Sequence, residues 1–290
     1  MAPLGLGSGF YGLGPTINSD NTTVVVAATG TAVRVTGEAG TAGDEGVVAC
    51  NASVLQSTFQ GSFTIAFWVK MVDGITGGAR YLCGTLGDGT NGQCAIYITT
   101  DGKIQFNFMG DNSDTHYKRT ASAVFADGAN AYKHIAIKLT KSSGNSTSVF
   151  YIDGTAVSAS IVGGAQITEA NHAAWDDGGD VFAIGSLGAS LGGGSSNVTA
   201  QGVSADIAEF AIWNVALEAQ AIAAIAGFGV PTASNFPDLT TASGDYPSVG
   251  SSASISNLIA YWKCNDYSGI YANNSITGIS GKLLGASVFV

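Results

Sequence analysis

The sequence predicts an all-β fold, an antiparallel two-sheet sandwich of the jelly-roll kind with one short capping helix. Three observations predict it. Hydrophobic residues alternate with polar ones over many short runs, Gly, Ala, Ser and Thr are dense between the runs, and a 3.6-residue apolar period appears once. At 290 residues with 46% hydrophobic and 41 glycines, the chain has enough material for one large β domain joined by tight turns.

The strands are legible in order. In FTIAFWVK, Phe63, Ile65, Phe67 and Val69 share one face while Thr64, Ala66, Trp68 and Lys70 share the other, the pattern of a half-buried strand. AIYITT and KIQFNF flank Asp101-Gly102, a two-residue hairpin signal, and Ile104, Phe106 and Phe108 alternate with Gln105 and Asn107. HIAIKLT turns Ile135, Ile137 and Leu139 inward, with His134 on the outside. SVFYIDGTAV breaks at Asp153-Gly154, and further strands fit residues 181–186, 207–213 and 258–264. The helix is expected over 216–226, with Leu217, Ala221, Ile222 and Ile225 on one face, Asn214 as N-cap, Gly227 as stop and Pro231 beyond. Two turns of apolar stripe cannot hold alone, so the helix is expected to lie across one end of the sandwich. Residues 1–20 read as a Gly-rich N-terminal arm or a tucked-in terminus, and 21–290 as a single domain with an irregular loop at 188–204 and a long irregular segment at 227–257.

The order of these pieces resembles the laminin-G-like jelly rolls of the concanavalin A-like lectin/glucanase superfamily over residues 45–226. ADIAEFAIWNVALEAQAI carries the likeness furthest: Glu209, Trp213, Asn214, Ala216, Leu217 and Ile222 stand where that family has an acidic residue, an aromatic, Asn, Ala, Leu and Ile. The chain departs from the pattern at Ala208, where the family has an aspartate. LIAYWKC resembles a strand that comes first in many relatives, so either the order is permuted or this strand closes the sheet beside the N-terminal one. The resemblance implies a sandwich that binds sugars, lipids or proteins, often with calcium; fold alone does not choose among them.

Function classes are narrowed by charge and by missing motifs. A net charge of −10 repels phosphate backbones, and no apolar run reaches membrane-spanning length, so neither nucleic acid nor membrane insertion is expected. The start at Met1 lacks a basic, apolar leader, so synthesis in a cytosol is expected. Cys50, Cys83, Cys94 and Cys264 form no CxxC pair; reduced, buried thiols are expected, with a Cys83–Cys94 disulfide across a hairpin as the alternative. The glutamates at 38, 45, 169, 209 and 218 form no ExDxxE triplet, and Asp206 and Glu209 have the odd spacing of opposite strand faces, so a glycosidic carboxylate pair is not expected. His116, His134 and His172 have neither zinc spacing nor a GxSxG elbow to serve, so the protein is not expected to be an enzyme.

Two loops carry candidate sites. His116 and Tyr117 of GDNSDTHYKRT, and Trp175 of NHAAWDD, combine an aromatic ring with polar neighbours, the requirement for stacking on a sugar face and bonding its hydroxyls. Asp176, Asp177 and Asp180 offer the oxygen ligands a calcium ion takes, or are solvated turn residues. With only 11% charged residues, the surface suits burial against neighbouring subunits, and laminin-G-like domains of this kind occur as capsid decorations, head fibres and tail appendages of bacteriophages. The expected partners are therefore other virion subunits, as a homo-oligomer or with capsid or tail proteins, and host polysaccharide. The alternative is a secreted or cell-surface bacterial carbohydrate-binding adhesion module.

Overall fold

The computed structural model describes residues 16–17, 23–24, 32–35, 46–72, 75, 78–86, 92–110, 115–128, 131–176, 180–188, 202–229, 239, 255–264, 271–273, 280–284 and 288–289. Its strands are β1 (Thr16–Ile17), β2 (Thr23–Val24), β3 (Val33–Val35), β4 (Gly46–Asn51), β5 (Phe63–Met71), β6 (Arg80–Thr85), β7 (Gln93–Ile98), β8 (Ile104–Met109), β9 (Thr115–Thr120) and β10 (Lys133–Thr140). They continue as β11 (Thr147–Ile152), β12 (Thr155–Val157), β13 (Ala159–Gly164), β14 (Val181–Ile184), β15 (Ala205–Trp213), β16 (Leu258–Trp262), β17 (Tyr271–Asn273), β18 (Ser280–Leu284) and β19 (Val288–Phe289). The helices are α1 (Gln56–Phe59), α2 (Glu169–Ala173) and α3 (Ala219–Gly227).

Apart from a small β1–β2 pair, the strands form two antiparallel sheets. One has eight strands in the order β12-β11-β10-β5-β15-β3-β19, with β16 also on β15; the other has nine, in the order β13-β9-β8-β7-β6-β14-β4-β18-β17. The expected jelly-roll sandwich is the fold observed. Between the sheets lie the residues that alternation turns inward, among them Phe63, Ile65, Phe67, Phe106, Phe108, Ile135, Ile137 and Phe210. Their rings interlock: Phe67 stacks on Phe210 at 5.1 Å between centroids, and Phe210 meets Trp262 at 6.0 Å. Burying a Phe of this kind contributes about 1.5–3 kcal/mol each, which makes this layer the main source of stability.

Strands β3 and β16 follow one another along one edge of β15. Strand β3 pairs with Ala205–Ile207 of β15, and β16 pairs with Phe210–Trp213 of the same strand. Between these two stretches a bulge separates Ala208 from Ala211, with Glu209 at φ 53. The extra residue shifts the alternation, so Glu209 accepts a hydrogen bond from the Tyr261 hydroxyl on the outer face of the sheet, the face that carries Asp206. The opposite-face placement expected from their spacing is therefore incorrect. Asp206 is held by Arg34 through two bonds, at 2.6 and 2.9 Å, with Lys70 at 3.6 Å.

Three further expectations are corrected. The helix begins at Ala219, not 216, because Leu217 N–H donates to Thr64 Oγ1 (2.9 Å) and Asn214 N–H to the Asn257 carbonyl (2.9 Å), which holds 214–218 out of helical geometry. The residue at the cap is Glu218, without a side-chain cap bond. Nor does the helix close an end of the sandwich. Leu217, Ala221, Ile222 and Ile225 pack on the outer face of the eight-stranded sheet, against Ala66, Ala136, Ala211, Trp213 and Tyr261. β5 is consequently buried on both faces, where a half-exposed strand was expected. The Asp101-Gly102 turn is a three-residue loop: Gly102 N–H reaches the Thr99 carbonyl (2.9 Å) and Gly102 alone is left-handed, at φ 74. Asp153-Gly154, with φ 49 and 78, does form the two-residue mirror-image turn.

All four cysteines are free and buried; Cys83 stands opposite Ile96, and Cys94 opposite Thr85. Of the expected arm, only Thr16–Ile17 fall within the described residues, and the segments 188–204 and 227–257 lie largely outside them. Among the described residues no helix is long and apolar enough to cross a membrane.

Candidate functional site

The site is built on the outer face of the nine-stranded sheet. In β7 and β8, Cys94, Ile96, Ile98, Ile104, Phe106 and Phe108 face the core, so period-two alternation turns Gln93, Ala95, Tyr97, Gln105, Asn107 and Met109 away from it. Register then aligns residues of neighbouring strands into rows. Tyr81, Tyr97, Gln105, Arg119 and Ser160 stand side by side across β6, β7, β8, β9 and β13. The next row is Gly84, Ala95, Asn107, Tyr117 and Gly163. At about 4.8 Å per strand, Tyr81 and Arg119 stand roughly 14 Å apart along the row.

This patch has aromatic faces over a polar floor. Tyr81, Tyr97, Tyr117 and Arg119 are half-buried, whereas Gln105 and Asn107 are each 7% exposed. The Tyr81 and Tyr97 rings meet at 5.1 Å with 50° between their planes. Gln105 Nε2 donates to Asn107 Oδ1 at 2.9 Å, and Asn107 hydrogen-bonds the Tyr97 hydroxyl. Space for the Tyr117 ring depends on Gly163 having no side chain, since a Cβ there would lie 2.9 Å from Tyr117 Cδ2.

Electrostatically the patch is neutral apart from Arg119. Desolvation, followed by the neighbouring phenol Tyr81, pushes Tyr97 up to about 12, and desolvation, then Tyr117, raises Tyr81. Both hydroxyls therefore stay protonated at neutral pH and can donate as well as accept.

The structure separates the predicted sugar-binding residues. Tyr117 lies in the patch, but on a strand; the loop expected around it gives way to β9 from Thr115, paired on both sides. His116 points the opposite way, between the sheets, where Nδ1 lies 3.1 Å from the Ala165 carbonyl and Nε2 3.0 Å from Ser148 Oγ. Trp175 is 0% exposed, edge-on to Phe59 at 5.0 Å, and its Nε1 donates to the Gln93 carbonyl (3.4 Å). Neither His116 nor Trp175 offers a face to a sugar. Both are corrected to packing residues, because one points inward by strand alternation and the other completes the core beneath α1.

Two of the three predicted calcium residues fall within the described residues. Asp176 is exposed, Asp180 is 2% exposed with its carbonyl bonded by Ala52 N–H (2.9 Å), and Asp177 lies outside the described residues. Among the described residues no three His, Cys, Asp or Glu side chains come together as metal ligands.

Two serine–histidine contacts resemble nucleophile–base pairs by distance alone. Ser146 Oγ lies 2.8 Å from His172 Nδ1, and Ser148 Oγ 3.0 Å from His116 Nε2. All four residues are at most 1% exposed, so no substrate reaches either hydroxyl. Desolvation pushes His172 down to about 4 and lowers His116, which leaves these rings neutral, as buried packing requires. His134 lies on the outer face as expected but is 1% exposed, edge-on to Trp68 at 5.2 Å, and its pKa falls to about 4, again through desolvation. A separate pocket of about 410 Å³ opens at the sheet ends, between Thr120–Val124, Lys133, Ile152 and Val157–Ser158. Its one cation, Lys133, is paired with Asp153 at 2.7 Å.

A two-sheet jelly roll that presents an aromatic, amide-floored sheet face is of the lectin-like sandwich class. The chain belongs to the laminin G-like family of the concanavalin A-like lectin/glucanases superfamily, whose model matches residues 41–223. No curated protein matches it. Among solved structures it is similar to a putative carbohydrate-binding protein from Bacteroides ovatus ATCC 8483, at 15% identity, TM-score 0.47, 88% of this chain and 58% of that one. It is also similar to the native heptameric SAP-like pentraxin of Limulus polyphemus, at 12% identity, TM-score 0.42, 71% of this chain and 85% of that one. A third is the CBM40 of the Ruminococcus gnavus IT-sialidase, at 12% identity, TM-score 0.45, 68% of this chain and 100% of that one.

Proposed function

We propose that the protein is a non-catalytic binding module that holds a glycan on the outer face of its nine-stranded sheet. The observation that carries the proposal is the pair of cross-strand rows that set Tyr81, Tyr97 and Tyr117 around Gln105, Asn107 and Arg119. Sugar rings have apolar faces that stack on phenols and hydroxyls that need directional donors and acceptors, and this patch supplies both within a few strands. A rigid sheet also lowers the ordering cost of binding, because the contacting side chains sit on paired strands. A glycan array probed with the intact protein and with Tyr97→Ala tests the proposal. Selective retention of a glycan set, lost in the variant while its melting temperature holds, supports it; a silent array, or retention unchanged by the substitution, refutes it.

A finer reading, that the module is a structural protein of a phage virion and meets host polysaccharide through this face, is supported by its composition. Charged residues are only 11% of the chain, which suits a surface largely covered by neighbouring subunits. Copurification with intact particles tests it. Recovery only from a bacterial surface or culture medium favours the adhesion-module alternative.

A further inference from the structure

Arg119 distinguishes this face from a neutral sugar platform. It stands in the first row between Gln105 and Ser160, half-buried, and among the described residues no carboxylate lies within ion-pair distance of it. The other cations nearby are engaged: Lys103 pairs with Asp101 at 2.8 Å, and Lys118 turns inward to the Ser148 carbonyl. In a chain with 21 acidic side chains against 11 basic ones, a guanidinium on a ring-lined face with no carboxylate of the described residues within ion-pair distance is suited to receive an anion. Its neighbours complete the contact. Gln105 and Asn107 are amides that carry no competing charge, and Ser160 adds a hydroxyl on the far side.

We infer that the glycan held on this face is an acidic one, its sugar carboxylate received by Arg119 while Tyr97 and Tyr117 contact the ring. This rests on the glycan-binding proposal above and specifies its ligand class. A planar guanidinium meets a planar carboxylate through two parallel N–H···O bonds, a match that a lysine ammonium does not reproduce. The overall charge of −10 does not forbid it. Exposed charges more than about 8 Å away are largely screened at physiological ionic strength, whereas direct contact with Arg119 is not.

The test uses matched ligands: a panel of uronic-acid oligosaccharides, each alongside its carboxyl-reduced neutral counterpart, titrated calorimetrically into the intact protein. The inference expects the acidic form to bind roughly ten-fold or more tightly, as a charge-assisted hydrogen bond implies, with the advantage shrinking as salt is raised. Arg119→Gln is expected to remove the advantage, weakening the acidic form by far more than the neutral form, while the melting temperature holds. Arg119→Lys, which keeps the charge without the fork, is expected to restore only part of it. Equal affinity for both forms, or an acidic preference that survives Arg119→Gln, overturns the inference while leaving the glycan proposal standing. Preference for sulfated over carboxylated sugars also overturns it. Binding of neither form, together with an array on which the parent protein retains no glycan, overturns the glycan proposal and this inference together.

Discussion

Trp175→Ala separates a packing role from a binding role at one of the three residues that the sequence offers as a sugar contact. The indole is 0% exposed, contacts Phe59 edge-on at 5.0 Å and donates to the Gln93 carbonyl, while Gln60 Nε2 donates to the Trp175 carbonyl at 2.8 Å. Truncating a fully buried aromatic costs about 3–5 kcal/mol in transfer and cavity terms. Unfolding entropy near the melting point is about 2.1 cal/mol/K per residue, which for this chain length gives roughly 0.6 kcal/mol/K. The melting temperature should therefore fall by about 5–8 °C. Trp175→Phe, which refills most of the volume but loses the Nε1 donor, should fall by less than half as much. Differential scanning calorimetry measures both shifts, and a glycan array run well below the lowered midpoint measures binding. A melting temperature unchanged within a degree together with abolished binding would refute the burial argument, because it would show an accessible ring with no packing role.

Two further outcomes follow from the same packing. Ala136→Leu inserts three carbon atoms into the seam where α3 lies on Ala66, Ala136 and Ala211, and should destabilise by about 1–3 kcal/mol; urea midpoints check it, and an unchanged midpoint would mean that the helix does not cover this face. The second concerns acid. His134 and His172 have folded pKa values near 4, below the ordinary 6.5, so between these limits the unfolded chain binds more protons than the native one. Stability should fall as pH drops from about 6.5 towards 4, by up to about 1.4 kcal/mol per unit for each ring, with no contribution from either above 6.5. His172→Gln should flatten that part of the stability profile, and a profile as steep as the parent's would contradict the assignment.

The inward half of each strand was legible because alternation is a local property. Phe63, Ile65 and Phe67 face the core as their spacing requires, and so do Ile104, Phe106 and Phe108. What alternation leaves open is whether the other face meets water or more protein. Thr64, Ala66 and Trp68 read as solvent-facing and are buried, because α3 and the residues around Ala208 and Tyr132 close over them. The small side chains at 66, 136 and 211 were the available signal, since they leave room for a helix, but only their register brings them together. The helix start slipped for a related reason. Asn214 is a good cap by type, yet its N–H and that of Leu217 are held by residues more than forty positions away. The candidate site divides along the same line. Tyr117 was identified by residue type; Tyr81, Tyr97, Gln105, Asn107 and Arg119 were missed because each looks ordinary within its own strand, and only cross-strand register sets them in rows.

That division bears on where binding can sit. A sandwich has two outer faces, and this chain treats them differently. Over β5, β10 and β15 the eight-stranded sheet is covered by α3 and carries alanines, whose methyl groups suit close helix packing and offer a ligand little. Over β6 to β9 the nine-stranded sheet carries tyrosines, amides and an arginine. If those residues served only solubility, short hydroxyl and charged side chains would do as well at a lower cost of exposed ring surface, and Gly163 would not need to be open beside Tyr117. A methyl group at Gly163 offers the most direct check on that step, since the three atoms nearest to it all belong to the Tyr117 side chain. Gly163→Ala should weaken glycan retention while shifting the melting temperature by no more than a few degrees. Retention equal to the parent's would mean that the orientation of the Tyr117 ring plays no part in binding.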